Sequence, residues 1–275
     1  MSKNKRSTFS GKLGFVLSAA GASVGLGNIW RFPYLAAKYG GGIFLLVYII
    51  LALTFGYTMI MAETSLGRMT KKSPVGAYQS FGKSKWLSLG GWINAIIPIL
   101  IVPYYSVIGG WVIKYLIGYF SGQAQTLASD TYFSAFISNG ASTEICFIVF
   151  TFCTLGIIYA GVQNGIERVS KFMMPVLVVL SVIIAIYSVT RPGALEGVKY
   201  FLVPNPANFS WMTVVSAMGQ MFYSLSIAMG ILITFGSYMK QDVSIEGSTK
   251  NVEIFDTAIA IMAGLMIIPA VFAFS

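Results

Sequence analysis

The sequence predicts an all-α polytopic membrane protein, and three observations carry that expectation. Hydrophobic residues make up 56% of the 275 positions and charged residues only 10%. The apolar residues gather into runs close to the roughly 20 positions a helix needs to cross hydrocarbon. The basic residues fall in short connections between those runs, not in one continuous stripe.

Seven spans are expected, at 13–37, 42–69, 88–119, 144–161, 166–189, 213–239 and 251–273. An odd number puts the two ends of the chain on opposite sides. Orientation follows from Lys and Arg in the short loops. Lys3, Lys5, Arg6 and Lys12 precede the first span. Arg68, Lys71, Lys72, Lys83 and Lys85, then Arg168 and Lys171, then Lys240 and Lys250 fall on the same side, giving 13 of 18 basic residues. The N-terminus is therefore expected in the cytoplasm, with 1–12 as a tail. Residues 121–143 contain no Lys or Arg and are expected as an outside loop, with Lys114 reaching toward the interface.

The first span is interrupted. GASVGLGNIWRFP, from Gly21 to Pro33, places three glycines, an asparagine and an arginine where hydrocarbon should exclude them. Every backbone amide at membrane depth needs a partner, so a broken helix survives only inside protein or against a polar cavity. An opening around Val24 to Gly27 would turn carbonyls toward a cation and amides toward a carboxylate. The alternative is a small-residue patch at Gly21 and Gly25 for close helix packing; Asn28 and Arg31 favour a site. The sixth span has the same character, with Gln220, Ser224, Ser226 and Gly230 inside an apolar run. Two broken spans, five apart and of opposite polarity, suit the openings of the two halves of an inverted repeat.

GLGNIWRFPY and GGGIFLLVYI, with SLGR, PYYSVIGGW and GQMFYSLSIAMG further on, closely resemble the neurotransmitter:sodium symporter family, in its bacterial amino-acid transporter branch. The resemblance covers essentially the whole chain. It implies the LeuT-type inverted-repeat fold, with a first five-helix repeat over 13–189, an extracellular connection over 190–212, and the first two helices of the second repeat over 213–275. Ten spans would complete two repeats, so the expectation is an N-terminal fragment or truncated product, the alternative being a complete short protein.

The resemblance also implies a site. The Ser23 carbonyl, the Asn28 side chain, Ser224 and a seventh-span residue, here Asp256 where relatives carry Asn, would form a first sodium site. Tyr48, Gln220 and Ser224 match the chloride site of some relatives, and the Asp256 carboxylate beside them implies chloride independence; the alternative is an acid facing water. Gly21 and Val24 carbonyls would supply half of a second sodium site. The substrate carboxylate would meet the Leu26 and Gly27 amides and the Tyr105 hydroxyl. Ala22, Ser23, Ile101, Tyr223, Ser226 and Met229 would surround the rest, suiting an amino acid with a bulky apolar side chain. Arg31 resembles an outer-gate arginine under a Tyr223 lid, and Arg6 with Phe9 an inner latch, loosened by Phe in place of Trp. Glu63 resembles an acid that braces the broken sixth span. Ala228 stands where glycine is common, which would narrow the room for a large substrate.

The implied function is sodium-coupled amino-acid symport by alternating access in the plasma or inner membrane, with sodium as coupling ion and no other cofactor. The alternative is a truncated chain that needs a missing half to transport. An intramembrane enzyme is disfavoured: the membrane acids Glu63 and Asp256 show no paired spacing. With no histidine, no cluster has transition-metal spacing. The scattered positive charge gives no nucleic-acid footprint. Cys146 and Cys153, seven apart on one helix face, are expected as small buried hydrophobes.

Overall fold

The computed structural model describes residues 8–274; Arg6 of the expected inner latch lies outside them. The first span enters as α1 (Lys12–Ser23) and resumes as α2 (Gly27–Lys38), bent by 51° across the break. Val24 leaves the helix with an extended backbone, and Gly27–Arg31 restart it as a wide π-helical turn. The polar residues that mark this stretch in the sequence thus sit where the helix opens. The next elements are α3 (Gly42–Thr70), the short α4 (Pro74–Gln79) and α5 (Lys85–Phe120). Residues 121–143, expected as loop, instead hold α6 (Ala124–Leu127) and α7 (Tyr132–Ser138).

The spans α8 (Gly140–Tyr159) and α9 (Val162–Val189) complete the first five. The connection to the sixth is partly helical, as α10 (Ala194–Leu202). The expected sixth span is α11 (Trp211–Ser224) and α12 (Ile231–Tyr238), separated by six non-helical residues, and the seventh is α13 (Ile245–Phe274). Among the described residues five helices and the bent pair of α1 and α2 are long and apolar enough to cross a membrane; α11 with α12 is not counted with them, since each piece is short and the break is long. A capping box between Ser210 and Thr213 fixes the start of α11. α5 and α13 begin earlier than hydropathy indicates because polar residues extend their first turns; Ser84 caps α5 by accepting from the Trp86 amide. At 36 residues α5 is about 54 Å long, more than a bilayer's apolar thickness, so its ends project or the helix tilts.

The main core lies where α2, α3, α11 and α13 meet, around Phe32, Phe44, Tyr48, Met221, Leu225 and Ala260, all fully buried. Phe32 packs edge-on against Tyr48 at 5.0 Å between ring centroids. A second cluster, Phe9, Phe15, Val16, Ala19, Met239, Val243 and Val252, closes the N-terminal ends of α1 and α13. α8 stands at the edge, seated on α5 at Gly109 and Gly110. That contact buries Cys146, but Cys153, two turns further on, lies beyond it and is exposed, so the expected shared burial of the two thiols does not hold. Among the described residues no strand occurs.

Candidate ion and substrate site

The broken first span and α13 meet at a buried carboxylate. Asp256 is completely inaccessible, which removes the reading of it as a water-facing acid. Its carboxylate accepts from Asn28 Nδ2 at 2.8 Å, Ser224 Oγ at 2.9 Å and the Tyr48 hydroxyl at 3.3 Å. Asn28 Nδ2 also reaches the Asp256 carbonyl at 3.1 Å. Three expected sodium-site residues, from the π turn of α2, the end of α11 and α13, therefore converge with Tyr48 of α3. Burial of a charge requires such donors.

Other expected members lie apart from this cage. The Ser23 hydroxyl turns back to the Ala19 carbonyl at 3.1 Å. Gln220 does not bond Asp256; its Nε2 donates to the Gly27 carbonyl at 2.8 Å, which ties α11 to the first break. Gly21 packs against Ser170 and Met174 of α9, and Val24 shares a cluster with Met174 and Ile259.

A cavity of about 210 Å³ lies between the two breaks, lined by Ala22, Ser23, Ile101, Tyr105, Tyr223, Ser226 and Met229, with Pro98, Val102 and Ile231. The first seven are expected substrate contacts. Leu26 and Gly27 are not on this wall. Leu26 lines a neighbouring cavity of about 420 Å³ with Trp30, Arg31, Tyr34, Leu35, Tyr104 and Tyr223. Gly27 lies under the Tyr223 ring, where an added Cβ would come within 3.0 Å of it. Tyr223 lines both cavities, with the Arg31 guanidinium 4.8 Å from its ring centroid and the Tyr105 ring at 6.4 Å. A cation over an aromatic face is attracted by the ring quadrupole, so the expected lid and gate arginine form one unit.

The second break is held differently. Ser226, Ala228 and Gly230 all take positive φ, at 56°, 61° and 67°. Glu63 Oε1 accepts the Ala228 amide at 2.7 Å, the expected bracing contact. Ser226 Oγ donates to the Ala22 carbonyl at 3.4 Å, joining the two breaks. Ala228 does not narrow the cavity as expected. It lies off the cavity wall, and its left-handed backbone directs the methyl against the core cluster.

At the N-terminal end, Phe9 donates its amide to the Tyr238 carbonyl at 3.1 Å and packs edge-on against Phe15, Phe235 and Tyr238. Phe9 is 1% exposed and fills this aromatic box. Of the residues that sequence reasoning missed, Pro98 and Val102 share a helical face with Ile101 and Tyr105 at 3.6-residue spacing, a readable signal. Ile231, Trp30 and Tyr34 had none, because the register after a break is set by the break itself; Tyr104, inside the unbroken α5, lines the neighbouring cavity and not the one lined by Tyr105.

A multi-pass helical bundle whose two broken spans meet around a buried carboxylate and a mostly apolar cavity is the architecture of a secondary transporter. The chain belongs to the sodium:neurotransmitter symporter family, whose profile matches residues 6–134 and 119–275. It is 36% identical over 278 residues to an uncharacterised sodium-dependent transporter, YhdH, of Bacillus subtilis, covering 100% of this chain and 61% of that one. It is 28% identical to the sodium-dependent neutral amino acid transporter B(0)AT1 of Rattus norvegicus, covering 86% of this chain and 42% of the relative. The crystal structure of MhsT in complex with L-phenylalanine superposes with a TM-score of 0.91 at 38% identity, over 98% of this chain and 62% of MhsT. The fold is thus the LeuT type, and the chain spans about three fifths of the length of YhdH and MhsT.

Proposed function

We propose that this chain provides the ion and substrate site of a sodium-coupled symporter for neutral amino acids with apolar side chains. In this reading the protein works by alternating access in the cell membrane with its N-terminus in the cytoplasm. The observation that carries the reading is the cavity between the breaks. Its wall is mostly apolar, with Tyr105 and Tyr223 contributing hydroxyl-bearing side chains, while the Ser23 and Ser226 hydroxyls, which donate to the Ala19 and Ala22 carbonyls, keep acceptor capacity for the polar end of a small zwitterion.

The cage fits a hard monovalent cation, since Asp256, Ser224 and the Asn28 amide offer oxygen ligands and one negative charge. Asn28 presents its nitrogen to Asp256 here, so sodium binding calls for the amide to turn and present Oδ1 instead. That turn links ion occupancy to the first break, because Asn28 Oδ1 accepts the Gly25 amide at 3.4 Å. The charge on Asp256 also supplies what an anion would otherwise contribute, which favours chloride independence.

The test is binding of labelled L-phenylalanine to the purified chain in sodium and in potassium. Binding in sodium that disappears in potassium supports the reading; binding indifferent to the cation sinks it. A second reading, that these residues bind but do not transport alone, draws support from their matching 62% of MhsT. Sodium-driven uptake by proteoliposomes holding only the 275 residues would exclude it.

A further inference from the structure

α13 carries a second buried acid that the site above leaves unused. Glu253 is 3% exposed, and its Oε1 has no hydrogen-bond partner among the described residues. The ion pair found among them, Lys171 with Glu167, lies elsewhere. Asp256, one turn further along, is the opposite case: three side chains donate to it. A carboxylate buried without donors stays ionised only beside a positive charge, so the position suits a cation.

Thr249 extends the pattern. It is completely buried, with Oγ1 unpartnered. Positions 249, 253 and 256 repeat at i, i+4 and i+7 and so share one stripe of α13. At the helical rise they are spaced by about 6 and about 4.5 Å along the axis. The stripe is a run of buried oxygens from Asp256 toward the end of α13 that begins at Ile245.

Resting on the sodium reading above, we propose that Glu253 is a second binding position for the coupling cation, occupied by a monovalent alkali ion moving between Asp256 and the N-terminal end of α13. Asp256 holds the ion in the substrate-competent state, where Asn28 and Ser224 complete the shell. Glu253, whose Oε1 accepts from no group among the described residues, receives it next. Thr249 offers a neutral oxygen one turn beyond.

Thallium(I), an electron-dense alkali-ion surrogate, tests this by anomalous diffraction from crystals of the chain. The expected result is a peak at Asp256 and a second in contact with the Glu253 carboxylate. Glu253→Gln should abolish the second while keeping the first, which also shows that the variant folds. A peak at Asp256 alone in the parent overturns the proposal and makes Glu253 a buried protonated acid. Persistence of the second peak in Glu253→Gln overturns it as well. Absence of both peaks in the parent removes the sodium reading and this inference together, an outcome distinct from loss of the Glu253 peak alone.

Discussion

The two broken spans solve one problem by different means. The first break covers three residues, Val24 to Leu26, is flanked by Gly21 and Gly27, and stays at negative φ where it leaves α1. Side chains from α11 and α13 hold it, through Gln220 on the Gly27 carbonyl and Asp256 on Asn28. The second break covers six residues and turns left-handed three times, twice at residues with a Cβ. A side chain of α3, Glu63, holds it by a backbone amide. Both breaks are held by neighbouring side chains, but the first opens without left-handed backbone, whereas the second takes left-handed backbone that the Glu63 carboxylate holds in place. Charge chemistry gathers at the first, and the second shapes the cavity.

The largest effect should come from cutting the first break's anchor. Asp256→Ala leaves the Asn28, Ser224 and Tyr48 donors buried without an acceptor, a loss of about 3 kcal/mol or more. Sodium-dependent phenylalanine binding should weaken about 100-fold, measured by radioligand titration; affinity within threefold of the parent would break the assignment of charge to this break. Gly27→Ala comes next. Its Cβ would lie 3.0 Å from the Tyr223 ring, and overpacking of that kind costs about 1–3 kcal/mol. About tenfold weaker phenylalanine binding is expected; an unchanged affinity would mean that Tyr223 moves freely.

Glu63→Ala sharpens the contrast from the other side. It strips the partly buried Ala228 amide of its acceptor, roughly 1 kcal/mol, so thermal stability should fall. The sodium concentration for half-maximal binding should stay within about twofold, since 0.4 kcal/mol at the cage is a twofold effect. Loss of sodium affinity on a par with Asp256→Ala would show that the two breaks are one unit.

Legibility follows the same line. The spans and both breaks could be read because polar residues in apolar runs are rare and demand partners; the meeting of Asn28, Ser224 and Asp256 was readable only through the family resemblance. Seven cavity residues were readable through the family resemblance, and Pro98 and Val102 through helical spacing. The role of Gln220 was not readable, because a side-chain amide can serve the carboxylate or the Gly27 carbonyl equally well and only packing chooses. Nor was the exposure of Cys153, which depends on how far α8 stays in contact with α5. The helices inside 121–143 and 190–212 escaped hydropathy because they are short and need not span anything.

The smallest expected effect is the one that separates the breaks most cleanly, since it removes the same methyl at the second that Gly27→Ala adds at the first. Ala228 sits at φ 61°, a region that disfavours a residue with a Cβ by roughly 1–2 kcal/mol. Ala228→Gly relieves that strain. Against it stand the greater freedom of glycine in the unfolded chain, about 0.4–1 kcal/mol, and the loss of a partly buried methyl from the core edge. The balance leaves a gain below about 1 kcal/mol, read as a rise of roughly 1–3 °C in the unfolding midpoint. Phenylalanine affinity should not change, because the methyl faces the core and not the cavity. A fall in stability would mean that methyl packing outweighs backbone strain at this position, and that the second break owes part of its shape to its own residues after all.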